Sequence, residues 1–554
     1  MVSSRQSVLI AVSFLAAGGV GHAGGPKGAA TTAAPIARVK FLSDDPLWVE
    51  PKPRAVRDVK TIEIDDLYDF LEQSFVTPHR IKSAAQGPAQ NVNTVGGVPD
   101  SEWYTNRHAT QRMSIEELKR GPGNANPPDA DGTWRVTSAK SDGVTPGFRI
   151  DDQKGNHYLL KLDPDDYPEL ASAADVIGSK IYYALGYNTP ENYPVYFRRE
   201  QLTITDTSYW RDPAGKRHAL TARQIDEWLA HQPRDAQGRY RALASRWIDG
   251  KPVGPFELEG TRPDDPNDIV AHENHRELRG MRVFAAWLND TDAKAINTLD
   301  SLVTENGVSF IKHYRIDWGA SLGSDSLTPK NIRRGHDYVI APKSTLKETA
   351  SFGFYLPKWM RVHYPEIHGT GTFDYESFDP LNWKPNYPVT PFTLMEDDDA
   401  LWAAQKVMAF SDADLRAIVE TARYSDPRAT DWVTECLIKR RDKIAQAWLS
   451  EPLALDNFRL ENGRLVFDDL AAKYRVRPAG TYTVQWSAFN NATGELSPVD
   501  GREWTVPPST PTGFLAAKIR GNEAPGGKPM ALTVYLRQSG TGWSVVGVER
   551  RPEK

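Results

Sequence analysis

Asn289-Asp-Thr-Asp292-Ala-Lys294-Ala-Ile-Asn297 is followed, after four residues, by Leu302-Val-Thr-Glu-Asn306-Gly307-Val-Ser-Phe-Ile-Lys312 and then by Asp317-Trp318-Gly319. The first segment is a polar loop that spaces an Asp and an Asn five residues apart, with a Lys two residues after the Asp. The second alternates apolar and polar residues around Asn306-Gly307, a dipeptide that tolerates the left-handed backbone of a tight hairpin turn, and so predicts two antiparallel strands. The second strand runs through Phe310–Ile316 and ends on an Asp-aromatic-Gly triplet whose glycine lets the chain turn sharply. A loop with a spaced Asp and Asn is weak by itself, because polar loops produce such spacings freely. A hairpin that delivers a second Asp in a fixed order is not so easily accidental.

Upstream lies a complementary pattern. Thr133–Ser138, Gly147–Asp151 and His157–Leu162 read as three short strands separated by turns containing glycine. The third strand, Tyr158-Leu-Leu-Lys161-Leu162, carries a lysine among apolar neighbours. A helix opened by Pro168-Glu169 follows, with Leu170, Ala174, Ile177, Ile181 and Leu185 on one face and Gly186 to end it. A strand lysine alone would be read as a solvent-facing cation. The next helix supplies two acids, Glu169 and Asp175, either of which can pair with it; Glu169 is the preferred partner.

The two halves together resemble the protein-kinase-like superfamily, and the Thr291-Asp292 to Asn297 spacing is similar to that of its atypical HipA/CotH-type branch. The resemblance spans about 300 residues, from Thr133 to Trp448. It implies that Lys161, paired with Glu169, binds nucleotide phosphate, with Lys294 among the nucleotide-binding residues. It further implies that Asp292 is the catalytic carboxylate and that Asn297 and Asp317 hold Mg²⁺ or Mn²⁺ for ATP. The chain departs from the superfamily pattern in three places: Asp290-Thr291 stands where His-Arg is usual, residues 142–148 hold Gly143 and Gly147 but no G-x-G-x-x-G, and no A-P-E follows Gly319. The acceptor, whether a protein, a metabolite or an envelope polymer, stays open, as does transfer of a phosphoryl group or of AMP. A pseudokinase serving as a binding or envelope scaffold is the alternative.

Gly319-Ala-Ser321-Leu-Gly323 also fits G-x-S-x-G, the nucleophile elbow of serine hydrolases. The next residues, Ser324–Asn331, are polar and contain Pro329 where an apolar helix is required, and the last histidine is His368. His272-Glu-Asn-His275 lacks the spacing of two helical zinc ligands, so these histidines, with His363 and His368, read as surface or capping residues.

The fold class expected is α+β. A signal peptide at 1–23 precedes a leader and N-terminal extension at 24–130, which includes a helix-like stretch at Ile64–Ser74. A kinase-like N-lobe at 131–200, a mainly helical C-lobe at 201–450 and a C-terminal β-sandwich at 451–554 complete the chain. In the C-lobe, helices are expected at Glu273–Leu288, at Leu415–Tyr424 behind a capping box at Ser411, and at Pro427–Trp448, where Lys439-Arg-Arg441 reads as a solvated face. The β-sandwich rests on alternation in Tyr482–Phe489, Leu532–Leu536 and Trp543–Val548.

Residues 1–23 show a basic start, an apolar run and small residues before Gly24, so export to a periplasmic or extracellular space is expected. No other apolar run reaches the ~18 residues of a membrane span. The single cysteine, Cys436, allows no intrachain disulfide. A net charge of −5 argues against nonspecific nucleic-acid binding.

Overall fold

The computed structural model describes residues 39–83, 87–140, 145–212, 214–352, 354–450, 453–508, 510–521, 530–540 and 542–552. The expected signal peptide and most of the leader lie outside the described residues, as does Gly143.

The N-terminal extension contributes helices α1 (Asp66–Leu71) and α2 (Thr77–Ser83), joined by a π-helical turn, and α3 (Ile115–Arg120), which Ser114 and Glu117 close with reciprocal capping bonds. Strands β1 (Trp134–Ala139), β2 (Gly147–Asp151) and β3 (His157–Leu162) form as the alternation predicts and pair antiparallel in sequence order. Trp134, Val136, Phe148, Ile150, Tyr158 and Leu160 point to one buried face, so Lys161 must point to the other. After helix α4 (Leu170–Leu185) come β4 (Asn192–Phe197), β5 (Leu202–Arg211), β6 (Arg217–Ala219), helix α5 (Ala222–Leu229) and β7 (Tyr240–Arg246). All seven strands join one sheet in the order β4-β7-β3-β2-β1-β5-β6, with β5 parallel to β1. The strand-rich part therefore extends to Arg246, past the boundary at 200 read from the sequence. The reason is that β7 pairs with β3 across more than 70 intervening residues, and no local pattern announces that return.

The second core is helical. Strand β8 (Lys251–Pro252) leads into helix α6 (Arg276–Leu288), then the hairpin β9 (Thr298–Glu305) and β10 (Val308–Arg315), which turns at Asn306-Gly307 with positive φ at both residues. Helices α7 (Pro342–Ala350), α8 (Thr390–Thr393), α9 (Asp397–Met408), α10 (Asp412–Glu420) and α11 (Pro427–Trp448) complete it. Helix α6 starts later than the pattern suggests, because His272–Asn274 form a 3₁₀ turn instead. Ser411 and Asp414 make the expected capping box, and α11 has the expected bounds.

The basic run on α11 is not a solvated face throughout. Arg440 is buried and donates to the carbonyls of Trp287, Ala286 and Asp374 at 2.7, 2.6 and 2.6 Å, closing the exposed end of α6. Helix α4 packs into this helical core, not into the sheet's core, so it links the two.

At the C-terminus, β11 (Leu455–Glu461) and β12 (Arg464–Asp469) form a hairpin, followed by helix α12 (Leu470–Lys473). Strands β13 (Tyr482–Phe489), β14 (Leu496–Pro498), β15 (Phe514–Gly521), β16 (Met530–Ser539) and β17 (Gly542–Pro552) make an antiparallel sheet in the order β14-β13-β15-β16-β17. Hairpin and sheet share one apolar core, while Phe41 from the extension covers Phe489 and Tyr535 on the other face. The protein is thus a mixed α+β chain. Among the described residues, its C-terminal β structure is this sheet and this hairpin.

Candidate active site

A cleft of about 380 Å³ lies near the extension and another of about 670 Å³ between sheet and helices. The larger one is lined by Lys161, Asp175, Asp292, Lys294, Asn297 and Asp317, together with Asp66 from the N-terminal extension. Four of the residues singled out in the sequence for their chemistry, Lys161, Asp292, Asn297 and Asp317, therefore meet in one place, with Lys294 beside them.

Strand β3 aims Lys161 into this cleft, where its Nζ lies 3.2 Å from Asp175 Oδ2 and 3.2 Å from Asp317 Oδ1. Asp175 is on the first turns of α4 and is buried. Its other oxygen, Oδ1, accepts the Trp318 backbone N–H at 2.7 Å. The Trp318 ring is wholly buried against Gly178, one turn further along α4, where a Cβ would stand 2.5 Å from the indole Cγ. One face of α4 thus fixes both the lysine and the Asp-Trp-Gly triplet. Asp317 has φ +59 and accepts the Gly319 N–H at 3.2 Å, so a compact left-handed turn presents its carboxylate, which stays 43% exposed to the cleft.

Burial lifts the Asp175 carboxyl to about 6 and Asp317 adds to the lift, with Lys161 pulling the other way. Burial would also raise Asp317, but Lys161 overrides it and holds that carboxyl below its ordinary value. Burial disfavours the Lys161 cation, yet the two carboxylates more than compensate and hold it charged.

Glu169, the preferred partner from sequence, does not take this place. It precedes α4 with φ +69, and its carboxylate accepts the Ser425 N–H at 3.1 and 2.9 Å, with Arg241 3.8 Å away. An acid at the helix start faces the loop between α10 and α11; six residues on, Asp175 faces β3. Glu169 is a fastener between elements, and it does not line the cleft. If the cleft takes a nucleotide, as the sequence resemblance implies, Asp175→Ala should weaken its binding by more than about tenfold, because it strips a buried cation of its anchor. Glu169→Ala should lower thermal stability and leave nucleotide affinity within about twofold. Titration calorimetry on both variants, with the melting temperature as control, separates the two roles; equal losses of affinity would refute the assignment.

The opposite wall is the loop after α6. Asn289 ends that helix in the left-handed region with φ +50, and Asp290 turns inward to pair with buried Arg315 at 2.9 Å. The neighbouring Thr291 hydroxyl accepts from buried Lys330 at 2.8 Å. These contacts brace the loop from behind and leave Asp292 facing the cleft. Asn297 donates its amide to the Asp292 backbone oxygen at 2.7 Å and to Asp292 Oδ2 at 2.9 Å. Asp292 Oδ1 accepts from Asn386 at 3.1 Å and lies 3.3 Å from Lys294. Lys294 in turn reaches Asp66 of α1 at 2.8 Å. Burial works against the Lys294 cation, but Asp292 and Asp66 override it and raise its pKa. Sequence reasoning missed Asp66 and Asn386: both sit far from the loop in sequence, in segments with no chemical signature of their own.

The arrangement fits a divalent cation of the Mg²⁺ class. Asn297 spends its amide nitrogen on Asp292, which leaves its carbonyl oxygen as a hard donor in the cleft that the Asp317 carboxylate also lines. Among the described residues no three His, Cys, Asp or Glu side chains form a metal cage. Two protein oxygens completed by phosphate and water are what Mg²⁺ commonly accepts.

Two other readings are settled by burial. Ser321 is fully buried and its hydroxyl donates to the Trp318 carbonyl at 2.8 Å, so it cannot act as a hydrolase nucleophile. Of the surface or capping roles expected from sequence, His272 and His275 do not take the first, while His275 stands at the N-cap position of α6. They are buried around Trp103, held by Asp268 at 2.8 Å and Glu277 at 2.9 Å respectively.

No family model matches the chain, and no curated protein sequence matches it. Among solved structures, the crystal structure of the Golgi casein kinase with Mn/ADP bound aligns at 9% identity and a TM-score of 0.28, covering 61% of this chain and 76% of that one. A second crystal structure of the Golgi casein kinase gives the same identity, TM-score and share of this chain, and covers 75% of its own.

Proposed function

We propose that the protein is an atypical kinase-like phosphotransferase, which binds ATP with Mg²⁺ or Mn²⁺ in the cleft between sheet and helices and transfers a phosphoryl group, or AMP, to a hydroxyl acceptor. The observation that carries this reading is the meeting of Lys161, Asp175 and Asp317 opposite Asp292 and Asn297. A cation, metal-type oxygens and a carboxylate facing the cleft are the parts that phosphoryl transfer requires of a protein.

In this reading Lys161, steadied by Asp175, neutralises phosphate oxygens. Asn297 and Asp317 would hold the metal, which supplies charge neutralisation on the phosphates. Asp292 aligns the acceptor hydroxyl and takes its proton as the new P–O bond forms and the bond to the leaving group breaks, which is ADP for phosphoryl transfer and pyrophosphate for AMP transfer. Lys294 and Asp66 frame the acceptor side. The segment at 1–23 makes this a proposal for an exported protein, and the acceptor class is left to experiment.

One observation favours a noncatalytic nucleotide-binding module as the second reading: both oxygens of Asp292 are already engaged, by Asn386, Lys294 and Asn297. The two readings part on turnover. Incubation with ATP and Mg²⁺ or Mn²⁺, followed by mass spectrometry of the protein and of added hydroxyl acceptors, should show a gain of one phosphoryl group or of AMP. Nucleotide binding with no transfer to any acceptor would leave the binding module. No thermal shift at millimolar nucleotide with either metal would remove both.

A further inference from the structure

Apolar side chains that stand nearly free in solvent are concentrated in one stretch of the helical half. Helix α7 and the residues after it expose Leu346 at 71%, Phe352 at 89% and Phe354 at 93%, with Tyr355, Leu356 and Met360 also exposed. The same stretch carries Lys343, Lys347, Lys358 and Arg361, all exposed. Among the described residues, no carboxylate lies within ion-pair distance of any of these four. The one acid of the helix, Glu348, is taken by Arg333 at 2.9 Å. Lys347 lies over the Tyr355 ring at 3.9 Å, so cation and aromatic sit side by side on the surface.

From this juxtaposition we propose that helix α7, Phe352 and the residues from Phe354 to Arg361 are a docking surface for an anionic lipid bilayer. Two features select that occupant. The Leu346, Phe352 and Phe354 side chains are largely exposed, which suits insertion among acyl chains and headgroups better than capture of a peptide side chain. Uncompensated cations flank them, complementary to acidic headgroups. Protruding aromatics with a basic rim are the composition that lies in a membrane interface without crossing it.

The position links the surface to the cleft. Just before α7, the Val339 N–H donates to the Asn386 carbonyl at 2.7 Å, and the Asn386 side chain holds Asp292. A bilayer at this surface would put the acceptor side of the cleft near the membrane. That consequence rests on the phosphotransfer reading; the docking itself does not.

Cosedimentation of the full chain with vesicles of equal parts phosphatidylglycerol and phosphatidylcholine tests it, with pure phosphatidylcholine vesicles as the reference. We expect binding to the anionic vesicles that weakens as salt rises, and much less to the neutral ones. The double variant Phe352→Ser, Phe354→Ser should lose at least about tenfold in bound fraction while keeping its melting temperature, since both rings are exposed. A charge variant, Lys343→Glu with Lys347→Glu, should lose anionic-vesicle binding without changing nucleotide binding. No cosedimentation of the wild type at low salt, or binding untouched by the Phe variant, overturns the proposal. Absence of vesicle binding together with concentration-dependent dimerisation that the Phe variant abolishes would overturn it in favour of a second copy.

Discussion

Asp317→Ala is expected to abolish the metal-dependent stabilisation that nucleotide confers, while leaving the melting temperature of the nucleotide-free protein nearly unchanged. The two halves of this expectation have separate causes. A ligand at a hundred times its dissociation constant stabilises a fold by about 2.7 kcal/mol. A methyl group cannot replace a carboxylate oxygen on a divalent cation, so that stabilisation should vanish with Mg²⁺ and with Mn²⁺ alike. In the nucleotide-free protein the loss is cushioned. Lys161 keeps Asp175 at 3.2 Å as its partner, and Asp175 is relieved of the neighbouring charge that helps to raise its pKa. Asp317 also faces the open cleft, so its removal costs the fold little beyond the Gly319 N–H bond of 3.2 Å that its carboxylate accepts. Thermal-shift titration with ATP, with and without metal, reads both halves. A variant that retains the wild-type metal-dependent shift would remove Asp317 from the metal site and, with it, the reading of the whole cleft.

How much of this site is readable in the sequence depends on how local each contact is. The hairpin from Thr298 to Arg315 and its Asn306-Gly307 turn follow from alternation and turn chemistry over a few residues, and the strand register matches that reading. Lys161, Asp292, Asn297 and Asp317 are visible because each is bound to an element with its own periodic signal. The partner of Lys161 is the point of failure. Glu169 and Asp175 both belong to the region of α4, and which one reaches β3 depends on where the helix begins and how it is rotated. The tilt is set by Trp318 packing on Gly178 and by Asp163, which accepts the Glu169 and Ser172 N–H groups at 3.0 and 2.8 Å and so fixes the first turn. None of that is a property of the helix's own sequence pattern. Arg440 escapes for a related reason: a basic triplet on a long helix is usually solvated, and only the carbonyls at the end of α6, about 150 residues away in sequence, explain why one member turns inward. Asp66 and Asn386 are invisible because their roles arise wholly from tertiary contact with the loop at 289–297.

The other large effect is expected at Asp292, and it separates chemistry from binding. Asp292→Asn keeps the volume and removes the charge, so the loop braced by Asp290, Arg315 and Lys330 should hold its shape. In the proposed function the phosphate and metal positions belong to Lys161, Asn297 and Asp317, so the thermal shift with nucleotide and metal should stay close to the wild-type value. Transfer should fall by about 10²–10⁴, the usual contribution of a positioned proton acceptor. The amide cannot take the proton of an acceptor hydroxyl, and it can satisfy only part of the set of donors, Asn297, Asn386 and Lys294, that now converge on the carboxylate. In the proposed phosphotransferase those donors also constrain the carboxylate: the acceptor hydroxyl would have to displace or share one of them. Lys294 is the candidate to yield, because Asp66 at 2.8 Å offers it a second partner at no loss of charge pairing. Rates of transfer measured beside nucleotide affinity for wild type and Asp292→Asn decide the matter. A variant that transfers at the wild-type rate would place the proton acceptor elsewhere, and a variant that loses nucleotide affinity in proportion to its rate would make Asp292 part of the binding site, not of the chemical step.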